Sequence, residues 1–285
     1  MSGVTVRARA KLNLSLDVLG KLPDGYHELR MVMQSCTLAD EVSVEPAPAG
    51  EYRAFTNRSF IPTGEKNVAV KAAMAYYSAL GREGGARIRI KKRIPVCAGL
   101  GGGSADAAAV LAALNEINGG ALDCEALYAA AMRAGSDVPF CLMGGTALVE
   151  GRGEVLTPLR RLPETDAVIC MPHFICSTPQ LFGRIDLRKS RCRPDTSGLL
   201  AALESGDVAG VARRMYNVFE DALDRHAMSA VNAIKRALLD NGALGAAMSG
   251  SGSAVFGLFP DRSSAERAAD AAKAVSREVF LVKTD

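Results

Sequence analysis

The sequence predicts an α+β protein built as one large or two modest domains. Strand-like and helix-like segments are mixed along the chain without the strict alternation of a doubly wound parallel sheet. The length, 285 residues, exceeds one small domain and falls short of three. Apolar residues make up 48% and charged residues 23%, the composition of a chain that buries a core rather than one that stays disordered. The net charge of +3 is too mild to argue for nucleic acid or a membrane surface by bulk charge. It suits a local basic pocket for a small anion.

The elements follow from periodicity. Residues 4–9 alternate as a strand, and Leu12, Leu14 and Leu16 continue the period of two. Val42, Val44 and the run Tyr52 to Phe55 read as further strands of an antiparallel sheet. Residues 67–80 carry apolar side chains at helical spacing, and Arg87 to Lys91 alternates again. An apolar helix is expected over 105–117, and Asp123 caps a second over 125–133, closed by Gly135. Thr146 to Val149 reads as a strand. A loop over 151–163 is the expected seam between domains 1–155 and 156–285. Beyond it come a strand at 167–171, helices through Leu239, strands near 244–248 and 254–259, a helix over 263–275 and a last strand at 278–282.

The 7 cysteines are an odd number, spread without a C-x-x-C pair or zinc-type spacing, which fits a reducing cytoplasm. The N-terminus carries Arg7, Arg9 and Lys11 and no apolar core of a signal peptide, and no 18-residue apolar window suggests a membrane span.

The chemistry concentrates in glycine. Residues 95–107 read Pro-Val-Cys-Ala-Gly-Leu-Gly-Gly-Gly-Ser-Ala-Asp-Ala. Glycines let backbone N–H groups turn inward around an anion, and a helix that follows adds free amides and its positive end. A di- or triphosphate is the expected guest. Ser104 either caps the helix or offers its hydroxyl to phosphate or Mg²⁺. A flexible turn before a buried helix is the other reading. A Rossmann fingerprint requires glycine where Ser104 stands. A Walker A loop requires Gly-Lys-Ser/Thr, and Gly20-Lys21 is followed by Leu22. A second glycine cluster, residues 242–252, sits between strand-like runs. It is either a tight loop or a second wall of the same anion site.

Together these segments resemble the GHMP kinase superfamily over the whole chain. Its motifs occur in order: Lys11-Leu12-Asn13, the Pro95-x-x-x-Gly99-Leu100-Gly101 loop, and Gly250-Ser251-Gly252. Ala10-Lys11-Leu12-Asn13-Leu14, Asp24-Gly25-Tyr26-His27-Glu28-Leu29 and Gly99-Leu100-Gly101-Gly102-Gly103-Ser104 resemble the branch acting on 4-diphosphocytidyl-2-C-methyl-D-erythritol. The resemblance implies an N-terminal domain of ribosomal-S5-like fold and a ferredoxin-like C-terminal domain, with ATP and acceptor meeting in the cleft between them. It implies transfer of the γ-phosphoryl of ATP, with Mg²⁺, to the acceptor's 2-hydroxyl in the non-mevalonate isoprenoid pathway.

The same resemblance implies roles residue by residue. Asp137, in Gly135-Ser136-Asp137-Val138-Pro139, matches the catalytic acid/base, and a carboxylate can accept a hydroxyl proton as oxygen attacks phosphorus. A capping or turn aspartate is the alternative. Lys11 matches the lysine that holds that carboxylate ionised and eases loss of the hydroxyl proton. Asn13 bonds substrate or orients the pair. Tyr26 and Phe182 match the two faces of a cytosine clamp whose edge His27 reads, and Phe182 as a core ring is the alternative. Thr178, Gly250 and Ser251 complete the acceptor side, where Asp137 also contacts substrate. Asn67 and Lys92 match adenine-side residues. Asn67 is equally an N-cap, and Lys92 equally a solvated strand end. Pro95, Gly99, Leu100, Gly101, Gly102, Gly103 and Ser104 form the phosphate loop.

The remaining features are read as bland. Cys97 is expected to be a small buried residue without a catalytic part. Asp106 is a weak candidate to act through a bound ion, because Ala105 replaces a second serine found in many members. His173 and His226 are structural or surface residues. The basic run Arg184, Arg188, Lys189, Arg191 and Arg193 is a solvated loop, since no aromatics follow Phe182 within it. The expected partner is the small-molecule acceptor, with no nucleic acid and no membrane, in a monomer or homodimer.

Overall fold

A computed structural model describes residues 3–23, 25–185 and 192–285. In chain order the first half contains β1 (Val4–Lys21), β2 (His27–Ala47), β3 (Tyr52–Thr56), α1 (Val68–Leu80), β4 (Gly85–Lys91), α2 (Gly102–Ile117), α3 (Cys124–Ala134), α4 (Val138–Met143) and β5 (Thr146–Gly151). The second contains β6 (Val155–Pro158), β7 (Asp166–Met171), α5 (Thr178–Arg184), α6 (Thr196–Ser205), α7 (Val208–Arg213), β8 (Tyr216–Asn217), α8 (Arg225–Leu239), β9 (Gly245–Met248), β10 (Val255–Phe259), α9 (Arg262–Ala272) and β11 (Glu278–Lys283). The chain forms two compact units interleaved in sequence. One holds residues 1–10, 39–96 and 101–144; the other holds 11–38, 97–100 and 145–285.

In the first unit, β4 pairs antiparallel with the end of β2, Glu41 to Ala47 against Lys91 to Gly85, and parallel with β3. The helices pack on one another, α1 against α2 and α3, and α2 against α4. Small side chains make this possible: Ala69, Ala72 and Ala73 of α1 and Ala105, Ala107, Ala108 and Ala109 of α2 are all buried. The caps are built as local chemistry demands. Asn67 Oδ1 accepts from Ala69 N at 2.9 Å, Asp123 Oδ1 from Ala126 N at 2.8 Å, and Gly81 closes α1 at φ 66°. Gly135 follows α3 in extended backbone, φ 167°, rather than as a left-handed cap.

In the second unit, β7, α8, β9, β10, α9 and β11 follow one another as β-α-β-β-α-β, with further helices inserted before α8. Their four-stranded sheet has the order β11-β7-β10-β9, with antiparallel neighbours throughout. That is the split βαβ arrangement the resemblance implied. Phe256, Leu258 and Phe259 of β10 lie in its core beside Val168 and Ile169 of β7. β1 pairs parallel with β8 at Ser15 and Leu16, and its residues 11–18 are buried on both faces, not only at the alternating leucines.

Two expectations are corrected here. The expected seam over 151–163 is partly ordered: β6 pairs antiparallel with β5 through a turn in which Gly151 and Gly153 take φ 70° and 113°. Helix α2 starts at Gly102 rather than 105, because Gly101 at φ 67° supplies the turn into the helix. Among the described residues no helix is long and apolar enough to cross a membrane.

Phe256→Ala should cost about 3–5 kcal/mol in urea unfolding, since it empties a fully buried ring site. A loss below about 1 kcal/mol would mean the β7–β10 layer is not a close-packed core.

Candidate active site

In the second unit three distant segments are knitted together by hydrogen bonds. Lys11 N donates to Leu100 O at 3.0 Å, and Ala254 N to Ala98 O at 3.0 Å. Ser249, fully buried after β9, accepts from Asn13 N at 3.2 Å and donates to Gly99 O at 2.9 Å. Gly99 lies at φ 74°, and a Cβ there would collide with the Ser249 carbonyl oxygen. Asn217 Nδ2 donates to both Met248 O and Gly250 O at 2.7 Å, fixing the loop between β9 and β10. A Cβ on Gly250 would sit 3.1 Å from Lys11 Nζ, so the absence of a side chain lets the loop pass close to that ammonium.

The strand period of two puts Lys11 and Asn13 on one face of β1. Both are buried, and Lys11 Nζ donates to Asn13 Oδ1 at 2.5 Å. Thr178, in the first turn of α5, and Ser251 share a 2.6 Å hydroxyl hydrogen bond.

The aromatic residues adopt an arrangement different from a simple sandwich. His27 stacks on Phe182, with centroids 4.7 Å apart and planes at 23°, and Phe182 meets the edge of buried Phe219. Tyr26 is 61% exposed, and the Arg152 guanidinium lies 4.7 Å from its ring centroid. The ring facing Phe182 is thus His27. Burial, and secondarily Lys21, hold the His27 imidazole below the usual histidine range. Neutral imidazole has one donor and one acceptor, the pattern required to read a base edge.

In the first unit, the amides of Gly102, Gly103 and Ser104 open α2, whose first intrahelical bond runs from Ala105 N to Gly101 O at 2.8 Å. The N-cap Gly101 supplies no side-chain cap, so these amides are offered at the positive helix end. Ser104 is inside the helix and is not its cap. Asp137 takes the N-cap position of α4, yet its side chain makes no capping bond; it is half-buried. Pro95 is buried. Asn67 is committed on both sides of its amide, accepting from Ala69 N and donating to Pro62 O at 2.7 Å.

Lys92 is not a solvated strand end. Its side chain is 4% exposed, and its Nζ lies 2.5 Å from Asp40 Oδ2 and 2.7 Å from Asp106 Oδ2. Asp106 engages Lys92 through Oδ2, and its Oδ1 is buried with no hydrogen-bond partner. Burial first, and Asp40 next, push its carboxyl up to about 8, while Lys92 opposes them. Ala105 is buried, so a serine hydroxyl at that position would point into the protein. Cys97 is exposed at φ 56°, against the expectation of a small buried residue: the left-handed turn into Gly99 swings its side chain outward. Among the described residues no group of three or more His, Cys, Asp or Glu is placed to hold a metal ion.

His173 and His226 are at the surface as expected. Arg184 and Arg193 pair with Asp224 and Asp17 at 3.7 and 2.9 Å, whereas Asp24, Arg188, Lys189 and Arg191 lie outside the described residues. Asp40, Arg152, Asn217 and Ser249 were not singled out from sequence. Each acts on a distant partner, and only Ser249, inside the second glycine cluster, carried any local signal.

Comparison with known proteins gives the family of the chain. Residues 67–145 match the GHMP kinases N terminal domain and residues 199–277 the GHMP kinases C terminal domain. A 4-diphosphocytidyl-2-C-methyl-D-erythritol kinase of Alkaliphilus metalliredigens is 40% identical over 100% of this chain and 97% of its own. A crystal structure of 4-(cytidine 5'-diphospho)-2C-methyl-D-erythritol kinase superposes with a TM-score of 0.82 at 36% identity, covering 99% of both chains. The homoserine kinase of Cytophaga hutchinsonii superposes with a TM-score of 0.81 at 24% identity, over 100% of this chain and 95% of its own, a likeness of fold.

Gly99→Ala should lose about 1–3 kcal/mol of stability, through left-handed strain and the collision with Ser249. It should also weaken nucleoside triphosphate binding in a calorimetric titration. Gly103→Ala, where a Cβ meets open space, should keep native stability. Equal stability of the two variants would contradict the close approach at Gly99.

Proposed function

The chain belongs to the GHMP kinases, in the branch of the 4-diphosphocytidyl-2-C-methyl-D-erythritol kinases, and from that premise we propose its activity and its working residues. It is a small-molecule kinase that transfers the γ-phosphoryl of ATP to the 2-hydroxyl of 4-diphosphocytidyl-2-C-methyl-D-erythritol, a step of isoprenoid precursor synthesis. The observation that carries the residue assignments is the joining of the Lys11–Asn13, Gly99–Leu100 and Ser249–Gly250 segments through the Ser249 hydroxyl and the Lys11 amide.

In this reading the acceptor hydroxyl oxygen attacks the γ-phosphorus as its bond to the β-phosphate oxygen breaks. Asp137 accepts the hydroxyl proton, and ADP leaves. Lys11 lends positive charge to the attacking oxygen, and Asn13 orients its ammonium. The amides of Gly102, Gly103 and Ser104 receive the phosphates, with Gly99, Leu100 and Gly101 shaping the approach. Pro95 and Asn67 bound the adenine side, and Lys92 serves ATP through the loop it supports. His27 reads the cytosine edge, Tyr26 and Phe182 supply aromatic faces, and Thr178, Gly250 and Ser251 contact the acceptor.

Mg²⁺ fits as an ion carried by the ATP phosphates and water, with the Ser104 hydroxyl as protein donor, because the described residues supply no carboxylate cage. When bound it neutralises charge on the phosphates. We place residues 1–155 and 156–285 as the two functional domains, which puts the two family matches on either side of the division. The scattered free thiols fit a reducing cytoplasm, and we take the chain to act as a monomer or homodimer.

An ADP-release assay with ATP and Mg²⁺ should show turnover with the cytidine-diphosphate acceptor and none with mevalonate or homoserine. Asp137→Ala should lose at least about 100-fold in kcat while still binding ATP. Turnover with another acceptor alone would overturn the substrate reading, and retained turnover in the variant would overturn the role of Asp137.

A further inference from the structure

We propose that Lys92, clamped between Asp40 and Asp106, is a positioning residue that sets where the glycine loop ends and α2 begins, and so aims the amides that receive the ATP phosphates. The proposal rests on the kinase reading above and assigns Lys92 a role other than contact with the nucleotide.

The cluster ties β2 and α2 to the segment leaving β4, although Asp106 Oδ1 is buried with no hydrogen-bond partner. Asp40 on β2 takes Lys92 Nζ on one oxygen. With the other it accepts from Arg93 N at 2.5 Å and Ile94 N at 2.8 Å, pinning the segment that leaves β4. Asp106, in α2, takes a second hydrogen of the same ammonium at 2.7 Å. One cation therefore ties the strand exit to the start of the helix. The side chains of Lys92, Asp40 and Asp106 are 4%, 0% and 7% exposed, so the tie is shielded from competing water. A Cβ on Gly102 would stand 2.9 Å from Ile94 Cγ2 and 3.4 Å from Lys92 Nζ. The first residue of α2 thus lies against Ile94 and the Lys92 ammonium, and a side chain there would press on the Ile94 side chain.

Burying three ionisable groups is a poor way to gain stability, because desolvation offsets most of the attraction and an apolar cluster of equal volume commonly does as well. What the ionic cluster supplies is direction. A helix held only by apolar packing can slide, whereas the amides of Gly102, Gly103 and Ser104 must meet phosphate oxygens at hydrogen-bond distance.

The test is steady-state kinetics with each substrate varied, alongside thermal melts, on full-length Asp106→Asn, Asp106→Ala and Lys92→Met. Asp106→Ala should raise KM for ATP about tenfold or more while kcat and the acceptor KM stay within about twofold. Asp106→Asn, which keeps a carbonyl for the Lys92 N–H, should restore KM for ATP to within about threefold of the native value. If Lys92→Met folds, it should match Asp106→Ala. An unchanged or lowered KM for ATP in Asp106→Ala overturns the proposal, the latter by showing that a released Lys92 serves ATP directly. Equal rises in both KM values, or no rescue by asparagine, overturn it too. Absence of turnover in the native chain would defeat the kinase reading instead. The same pattern would then be sought in ATP dissociation constants, and failure there would end the proposal.

Discussion

A single buried hydroxyl holds the second unit's working segments in register. Ser249 accepts from the Asn13 amide and donates to the Gly99 carbonyl, which uses its one donor and an acceptor position in one place. Its partners lie 236 and 150 residues away in sequence. The strand that carries Lys11, the turn that opens the glycine segment and the loop after β9 are consequently one hydrogen-bonded body. The glycines follow from that constraint: at Gly99 and Gly250 a side chain would strike the backbone of the opposing loop or crowd the Lys11 ammonium.

Each unit relies on a buried polar device rather than on apolar packing at the point where chemistry is required. In the second unit it is neutral, built of a serine hydroxyl, backbone groups and the Asn217 amide. In the first it is ionic, the Asp40–Lys92–Asp106 cluster. Alanine-rich helices around the latter, with Ala107, Ala108 and Ala109 of α2 buried, provide bulk without specifying direction. Polar contacts supply that direction, because they have preferred distances and angles. The aromatic group of the second unit is more open: Tyr26 is exposed beneath Arg152, and His27 and Phe182 are stacked on each other.

What the sequence disclosed was local. The caps Asn67 and Asp123 and the β-α-β-β-α-β order of the second unit are legible from residues within a few positions of one another. The glycine segments were equally legible, because glycine in such density implies a backbone approached closely. The misread features depend on distant partners or on turn geometry that composition does not specify. Lys92 looks like the polar end of a strand until Asp40, 52 residues away, is seen to fold over it. Cys97 looks like a small core residue until the turn into Gly99 reverses its side chain. The hairpin of β5 and β6 was hidden because Gly151 to Gly153 reads as well for a linker as for a turn. Arg152 lacked a signal of its own, since its partner is an aromatic ring far along the chain.

Amide hydrogen exchange tests the central claim most directly. If the Ser249 hydroxyl joins the three segments into one body, the amides of Lys11, Asn13 and Ala254 share one slow opening. Replacing Ser249 by alanine then speeds all three by a similar factor. Faster exchange confined to the Asn13 amide, with Lys11 and Ala254 unaffected, would show three independent contacts and contradict the account.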